Sequence, residues 1–156
     1  MAFITINDLT RLSELAALTG NPELTLDVTS VGDLRRLPPH VEATLYTEAD
    51  SFSAPLLQKS RHIDAASATN FNVPLLQESG DINAGSASIF SAPLLQKSGD
   101  IDAGSADSFS APLLRESGNI DICSATSFSV PLLQKSGDID TCSAESFSAP
   151  LLHRRF

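Results

Sequence analysis

Phe90-Ser91-Ala92-Pro93-Leu94-Leu95-Gln96-Lys97-Ser98-Gly99-Asp100-Ile101-Asp102-Ala103-Gly104-Ser105-Ala106-Asp107-Ser108 is 19 residues long, and Phe109 starts it again. Phe52, Phe71, Phe90, Phe109, Phe128 and Phe147 stand at this spacing, and so do Pro55, Pro74, Pro93, Pro112, Pro131 and Pro150. A fixed period of this length marks a stacked repeat. Each unit is too small to bury its own apolar side chains and does so only against its neighbours. Five full copies cover residues 51–145, and a sixth runs to Phe156. Leu26, Leu45, Ile63, Ile82, Ile101, Ile120 and Ile139, spaced 19, 18, 19, 19, 19 and 19, carry the period upstream, so residues 21–50 read as degenerate coils.

Within one unit, alternation turns Ile101 inward and Asp100 and Asp102 outward, the pattern of a strand. Phe109 points inward between Ser108 and Ser110 in a second extended piece. Gly99 and Gly104 punctuate the unit as turn residues. Pro112 fixes φ and lacks an N–H, which excludes a regular central strand there; Leu113 or Leu114 then returns to the core. In-register stacking at about 4.8 Å pairs each strand with its equivalents in a parallel sheet and brings the Phe rings into one column. It also places Lys59, Glu78, Lys97, Glu116 and Lys135 in one row of alternating sign, each opposite pair contributing about 0.2–1 kcal/mol. Near the N-terminus, Asn7 is a helix cap, Leu9, Leu12, Leu15 and Leu18 share one face, and Gly20 is a stop. A helix is therefore predicted over Asp8–Leu18, with residues 1–20 as a cap on the first coil. The predicted fold is mainly β: one domain over 1–156, a right-handed, leucine-rich-repeat-like β-solenoid of 19-residue coils with a parallel sheet and an N-terminal capping helix.

The recurring Phe90, Ala92, Pro93, Leu95, Ser98, Gly99, Ile101 and Ala103 resemble the unit of leucine-rich-repeat-like solenoids related to receptor L domains. They are also similar to runs of near-identical repeats in uncharacterised prophage and bacterial proteins. The resemblance covers 51–156 closely and 24–50 loosely. It implies a solenoid with a binding habit and no catalytic residue in the repeat. The chain departs from that pattern in lacking an Asn ladder and in placing Ala and Ser where Leu is common.

Formal net charge is −9 and the isoelectric point is near 4.5. This balance excludes the basic footprint of direct nucleic-acid binding and disfavours anionic membrane surfaces, but it permits a basic partner. There is no charged segment followed by an apolar one at the start, and the apolar runs are too short for a bilayer, so a cytoplasmic protein of a bacterial host is expected. Cys123 and Cys142 occupy equivalent positions of adjacent coils. Without a secretory signal they read as reduced, small turn residues that stack, in preference to a disulfide or a metal pair, because two Cys do not complete a zinc site.

The sharpest functional signal is the pair of positions flanking the strand Ile. They hold Asp64, Asp81, Asp100, Asp102, Asp121, Asp138 and Asp140, seven carboxylates on one face across five coils. Five coils span about 19 Å, so the charges fall one per ~3 Å, against one per about 1.7 Å in duplex DNA. The expectation is a partner-binding surface for a basic protein, in its most concrete form a phage-encoded anti-defence inhibitor (anti-CRISPR-like, or a DNA mimic) of a nucleic-acid-handling host protein. The alternative is a structural or self-assembling repeat module. Asp100-Ile101-Asp102-Ala103-Gly104 lacks the further ligands of an EF-hand loop, and no metal is expected. His40, His62 and His153 form no triad spacing, no Ser has a G-x-S-x-G context, and no phosphate-binding glycine motif is present, so neither an enzyme nor a cofactor is expected. The last coil has no predicted cap. Phe147, Leu151, Leu152 and Phe156 are accordingly expected to form a two-fold homodimer interface.

Overall fold

The computed structural model describes residues 2–5, 20, 24–29, 34, 37–125, 127–142 and 144–152. Its main sheet is parallel throughout. In spatial order it contains β1 (Ala2–Thr5), β2 (Leu24–Asp27), β3 (His40–Tyr46), β5 (Lys59–Asp64), β7 (Ile82–Asn83), β9 (Ile101–Asp102), β11 (Ile120–Asp121) and β13 (Ile139–Asp140). The strands left out of that order build the other side. β4 (Ser51–Ser53), β6 (Asn70–Asn72), β8 (Ile89–Ser91) and β10 (Ser108–Ser110) form one parallel sheet, and β12 (Ser127–Ser129) pairs with β14 (Ser146–Ser148). Sheet neighbours are successive coils in register, Ile82 beside Ile101 and Phe71 beside Phe90, so the molecule is a parallel β-solenoid with 19-residue turns.

The register accounts for the one irregular spacing. Val41 pairs with Ser60, but Thr44 pairs with His62, so Glu42 and Ala43 together oppose Arg61. This β-bulge absorbs one residue and shortens the Leu45-to-Ile63 step to 18 without disturbing which side chains point inward. Residues 40–46 still alternate between buried and solvent-facing along their whole length.

Each Pro of the regular repeat, from Pro55 to Pro150, sits at the second position of a β-turn. Leu95 N–H donates to Ala92 O at 3.1 Å, and Leu76, Leu114 and Leu133 repeat the bond at 3.1–3.2 Å. Pro at this turn position supplies the required φ and needs no N–H partner. The turn settles which leucine of each pair is in the core: Leu57, Leu76, Leu95, Leu114 and Leu133 are fully buried, whereas Leu56 is 49% exposed. A second turn closes each coil after the strand, with Ala87 N–H on Ala84 O and Ala106 N–H on Ala103 O. One coil therefore buries Ile82, Ala84, Ala87, Phe90, Ala92 and Leu95. The small Ala residues and the larger Ile, Phe and Leu belong to one continuous core cluster.

The Phe rings stack at 5.3, 4.9 and 4.7 Å from Phe52 to Phe109, with interplanar angles of 8–11°. The expected single column is interrupted once. Phe109 meets Phe128 edge-on at 63°, and it is at this step that the second sheet divides between β10 and β12. Ile122, fully buried, replaces the Ala of positions 65, 84 and 103 in the intervening coil. Its additional carbons occupy core volume next to the displaced ring.

At the third corner, isolated parallel bridges join Lys59 to Glu78, Glu78 to Lys97, Lys97 to Glu116 and Glu116 to Lys135. The alternating row is thus formed as its spacing predicts. Beside it runs an inward row of serines whose hydroxyls bond one another and the corner carbonyls. Ser98 Oγ donates to Gly99 O at 2.9 Å, and Ser117 Oγ to the same oxygen at 3.2 Å. Among the described residues no buried side-chain polar atom lacks a partner. The predicted helix over Asp8–Leu18 lies outside the described residues. Within the expected helical cap, however, Ala2–Thr5 is a strand that adds one more rung to the main sheet.

Candidate functional site: the Asp columns of the main sheet

All seven predicted carboxylates lie on the outer face of the main sheet, in two columns. Asp81, Asp100, Asp102, Asp121, Asp138 and Asp140 are exposed, and Asp64 is half-buried. In the column before the strand Ile, the side chains from His62 to Asn119 each reach along the solenoid to the next coil. His62 Nδ1 accepts the Asp81 N–H at 3.1 Å, Asp81 Oδ1 that of Asp100 at 2.9 Å, Asp100 Oδ1 that of Asn119 at 2.8 Å, and Asn119 Oδ1 that of Asp138 at 2.8 Å. An Asx ladder is therefore present, on the strand face, although the standard leucine-rich pattern of Asn is missing. It also explains why the strands shrink from seven residues in β3 to two in β7, since the N–H that would extend the backbone ladder is taken by a side chain.

The preceding Gly follows from the ladder. A Cβ at Gly99 would overlap the Asp81 carboxylate, one at Gly118 that of Asp100, and one at Gly137 the Asn119 amide. Arg61 occupies the same place in the coil before the ladder begins, where His62 pairs with Thr44 and no Asx side chain projects from below.

The second column caps the turn that follows the strand. Asn83 Oδ1 accepts the Gly85 N–H at 3.2 Å, Asp102 Oδ1 that of Gly104 at 3.1 Å, Asp140 Oδ1 that of Cys142 at 3.2 Å, and Asp64 Oδ1 that of Ala66 at 3.4 Å. These are Asx turns, for which Asn and Asp serve equally. Asp64, Asp81, Asp100, Asp102 and Asp140 thus each use one carboxylate oxygen on the protein's own backbone.

At the N-terminal end of this face the columns border a shallow groove of about 490 Å³, lined by Tyr46, His62, Asp64, Asp81, Asp100 and Asp102 among others. Tyr46 carries no repeat signature, and the sequence pattern does not single it out for this place, whereas His62 stands at the repeat position that starts the ladder. The Tyr46 hydroxyl donates to Glu48 Oε1 at 2.6 Å, and this bond is the main cause that pushes the phenol up to about 12.

Two expectations about other residues change. Cys123 and Cys142, expected as stacked free thiols, are joined by a disulfide across adjacent coils, with Cα atoms 4.6 Å apart. Among the described residues there is no free cysteine, and Asp140 joins the pair, its carboxylate oxygen 2.9 Å from Cys142 Sγ. At the C-terminal end, Phe147 is 42% and Leu151 44% exposed, Leu152 packs half-buried against the core, and Phe156 lies outside the described residues. No helix among the described residues is long and apolar enough to cross a membrane.

No protein-family description, curated protein or solved structure matches the chain. The likeness to receptor L-domain-type and prophage repeats therefore remains one of repeat pattern, and the fold stands on the geometry above.

Proposed function

We propose that the protein is a non-enzymatic binding protein that docks a basic partner on the Asp columns of its main sheet. The observation that carries this reading is a surplus of charge over what the fold needs. The ladder and the turn each require one acceptor per coil, and Asn119 and Asn83 supply it as well as any Asp. Seven of the ten positions nevertheless carry a carboxylate, and Asp81–Asp100, Asp102–Asp121 and Asp121–Asp140 are neighbours along the columns. Adjacent like charges at coil spacing cost about 1 kcal/mol even in water. A cationic surface would remove that cost on docking, and the outward oxygens are placed to receive Arg or Lys. The spacing of one charge per ~3 Å suits a protein that normally follows a phosphate backbone, which makes a nucleic-acid-handling protein the finer form of the proposal.

Binding of fluorescent poly-arginine followed by anisotropy tests it. Asp100, Asp102, Asp121 and Asp140 changed together to Asn should leave the circular dichroism spectrum unchanged, because every ladder and turn acceptor is kept. Affinity should fall about fivefold to several hundredfold at low salt, from about 0.2–1 kcal/mol for each exposed pair removed. Unchanged affinity with unchanged salt slope would sink the docking surface.

The exposure of Phe147 and Leu151 supports a second reading, end-to-end pairing of two copies. Light scattering across a concentration series decides it: a dimer that dissociates on Leu151→Asp is expected, and a monomer at all concentrations refutes it.

A further inference from the structure

We propose that the reduced form of the Cys123–Cys142 pair, together with Asp140, is a binding site for a single thiophilic divalent cation of the zinc type. The two sulfurs and one Asp140 carboxylate oxygen lie within 4.8 Å of one another. Cys142 and Asp140 are exposed and Cys123 is half-buried, so a metal ion reaches all three without any opening of the core.

The fold supplies this arrangement without needing it for stability. The two Cys occupy the turn position held by Ala66, Gly85 and Gly104 in earlier coils. A Cβ at Gly104 meets nothing nearer than the Asp102 carboxylate at 3.5 Å, so small residues satisfy the packing and a thiol adds only its chemistry. In-register stacking then places two thiols one coil apart, with Cα atoms 4.6 Å from each other. The Asx turn brings the third donor, because the bond from the Cys142 N–H holds the Asp140 carboxylate over the Cys142 sulfur. The result is a two-sulfur, one-oxygen donor set with one side open to solvent. A tetrahedral zinc-type ion takes three protein ligands of this kind and a water.

The chemistry balances in two steps. A dithiol reductant supplies two electrons and two protons, breaks the sulfur–sulfur bond, and leaves as its own disulfide. The cation then binds two thiolates and one carboxylate, and the two thiol protons are released to solvent. The oxidised pair has no thiolate to offer, so metal binding and the disulfide exclude each other at the same two residues.

Cobalt(II) is the probe. The reduced protein, freed of reductant under argon, should bind one cobalt ion per chain, with the near-ultraviolet sulfur-to-cobalt charge-transfer band and the visible bands of a tetrahedral site, and zinc should displace it. Cys123→Ser should abolish the charge-transfer band of the paired thiolates, and Asp140→Asn should weaken affinity on the order of tenfold or more. Asp102→Asn, in the same column beside Gly104, should change affinity less than twofold, which separates ligation from general acidity. A measurement without variants stands beside these: zinc should slow alkylation of both thiols in the reduced wild-type protein. The proposal is overturned if the reduced protein shows no charge-transfer band, if zinc leaves alkylation unchanged, if the oxidised protein binds cobalt equally well, or if Asp140→Asn and Asp102→Asn behave alike.

Discussion

Two sets of side chains run along the solenoid a few residues apart and treat charge in opposite ways. At one corner, Lys59, Glu78, Lys97, Glu116 and Lys135 alternate in sign, bridged coil to coil. On the main sheet, Asp102, Asp121 and Asp140 follow one another without a single cation between them. Both sets obey the same 19-residue register, and both are exposed. The repeat is therefore able to neutralise a column by alternation and does so at the corner row. On the sheet face it places carboxylates beside carboxylates, and the backbone takes one oxygen from each of Asp64, Asp81, Asp100, Asp102 and Asp140. The difference separates a charge pattern neutralised within the stack from one that is not, and the docking proposal rests on the second.

The strongest way to break that comparison is to remove the structural use of the sheet-face column while keeping its charge. Gly99→Ala does this, since the added methyl collides with the Asp81 carboxylate and displaces it from the Asp100 N–H. The expected loss is about 1–3 kcal/mol of unfolding free energy, from overpacking together with a broken charge-assisted bond. Asp100→Ala should cost about 1 kcal/mol, because the Asn119 N–H is left to water, and Asp100→Asn should cost nothing or add a few tenths by relieving repulsion from Asp81. Urea unfolding of the three variants reads the order directly. If Asp100→Asn is as damaging as Asp100→Ala, charge itself holds the ladder, and the surplus on which the docking proposal rests does not exist.

Much of this architecture is legible in the sequence because stacking repeats each constraint every coil. The spacing of Phe and Pro establishes the solenoid, and the alternation around Ile101 tells which side chains turn inward. The sign changes from Lys59 to Lys135 reveal the register before any coordinate is seen. The local chemistry that spans two coils is harder to read. That Asp81 bonds the Asp100 backbone depends on a direction of reach that a one-dimensional pattern does not contain, so the ladder was hidden behind its Asp-for-Asn composition. Tyr46 belongs to a degenerate coil, and no repeat position points to its place in the groove. The disulfide was within reach of the same register argument, and the assumption of a reducing compartment overrode it. The tilt of Phe128 against Phe109 accompanies Ile122, one inward residue whose size matters only once its neighbours are known.

The smallest expected effect sharpens the comparison from the other side, by giving the corner row the character of the Asp columns. Lys97 stands between Glu78 and Glu116, with its ammonium 4.0 Å from the Glu116 carboxylate. Lys97→Glu turns two opposite-sign neighbours into two like-sign ones. These side chains are about half exposed or more, so water and salt screen them, and each pair is worth no more than about 0.2–1 kcal/mol. The summed expectation is a loss of about 1 kcal/mol at low ionic strength. Lys59→Glu should cost about half of that, because it has a carboxylate neighbour, Glu78, on one side only, His40 being its partner on the other. Both losses should shrink toward zero in about 1 M salt, where the screening length falls to about 3 Å, below the distance between the charges. The salt dependence carries the test, since a loss that persists undiminished would mean the lysine stems contribute by packing and the alternation is not electrostatic. With the expected salt dependence, the cost of placing like charges at coil spacing is measured in this protein itself. That same cost, summed over the three adjacent Asp pairs of the sheet face, is what docking of the proposed basic partner would relieve.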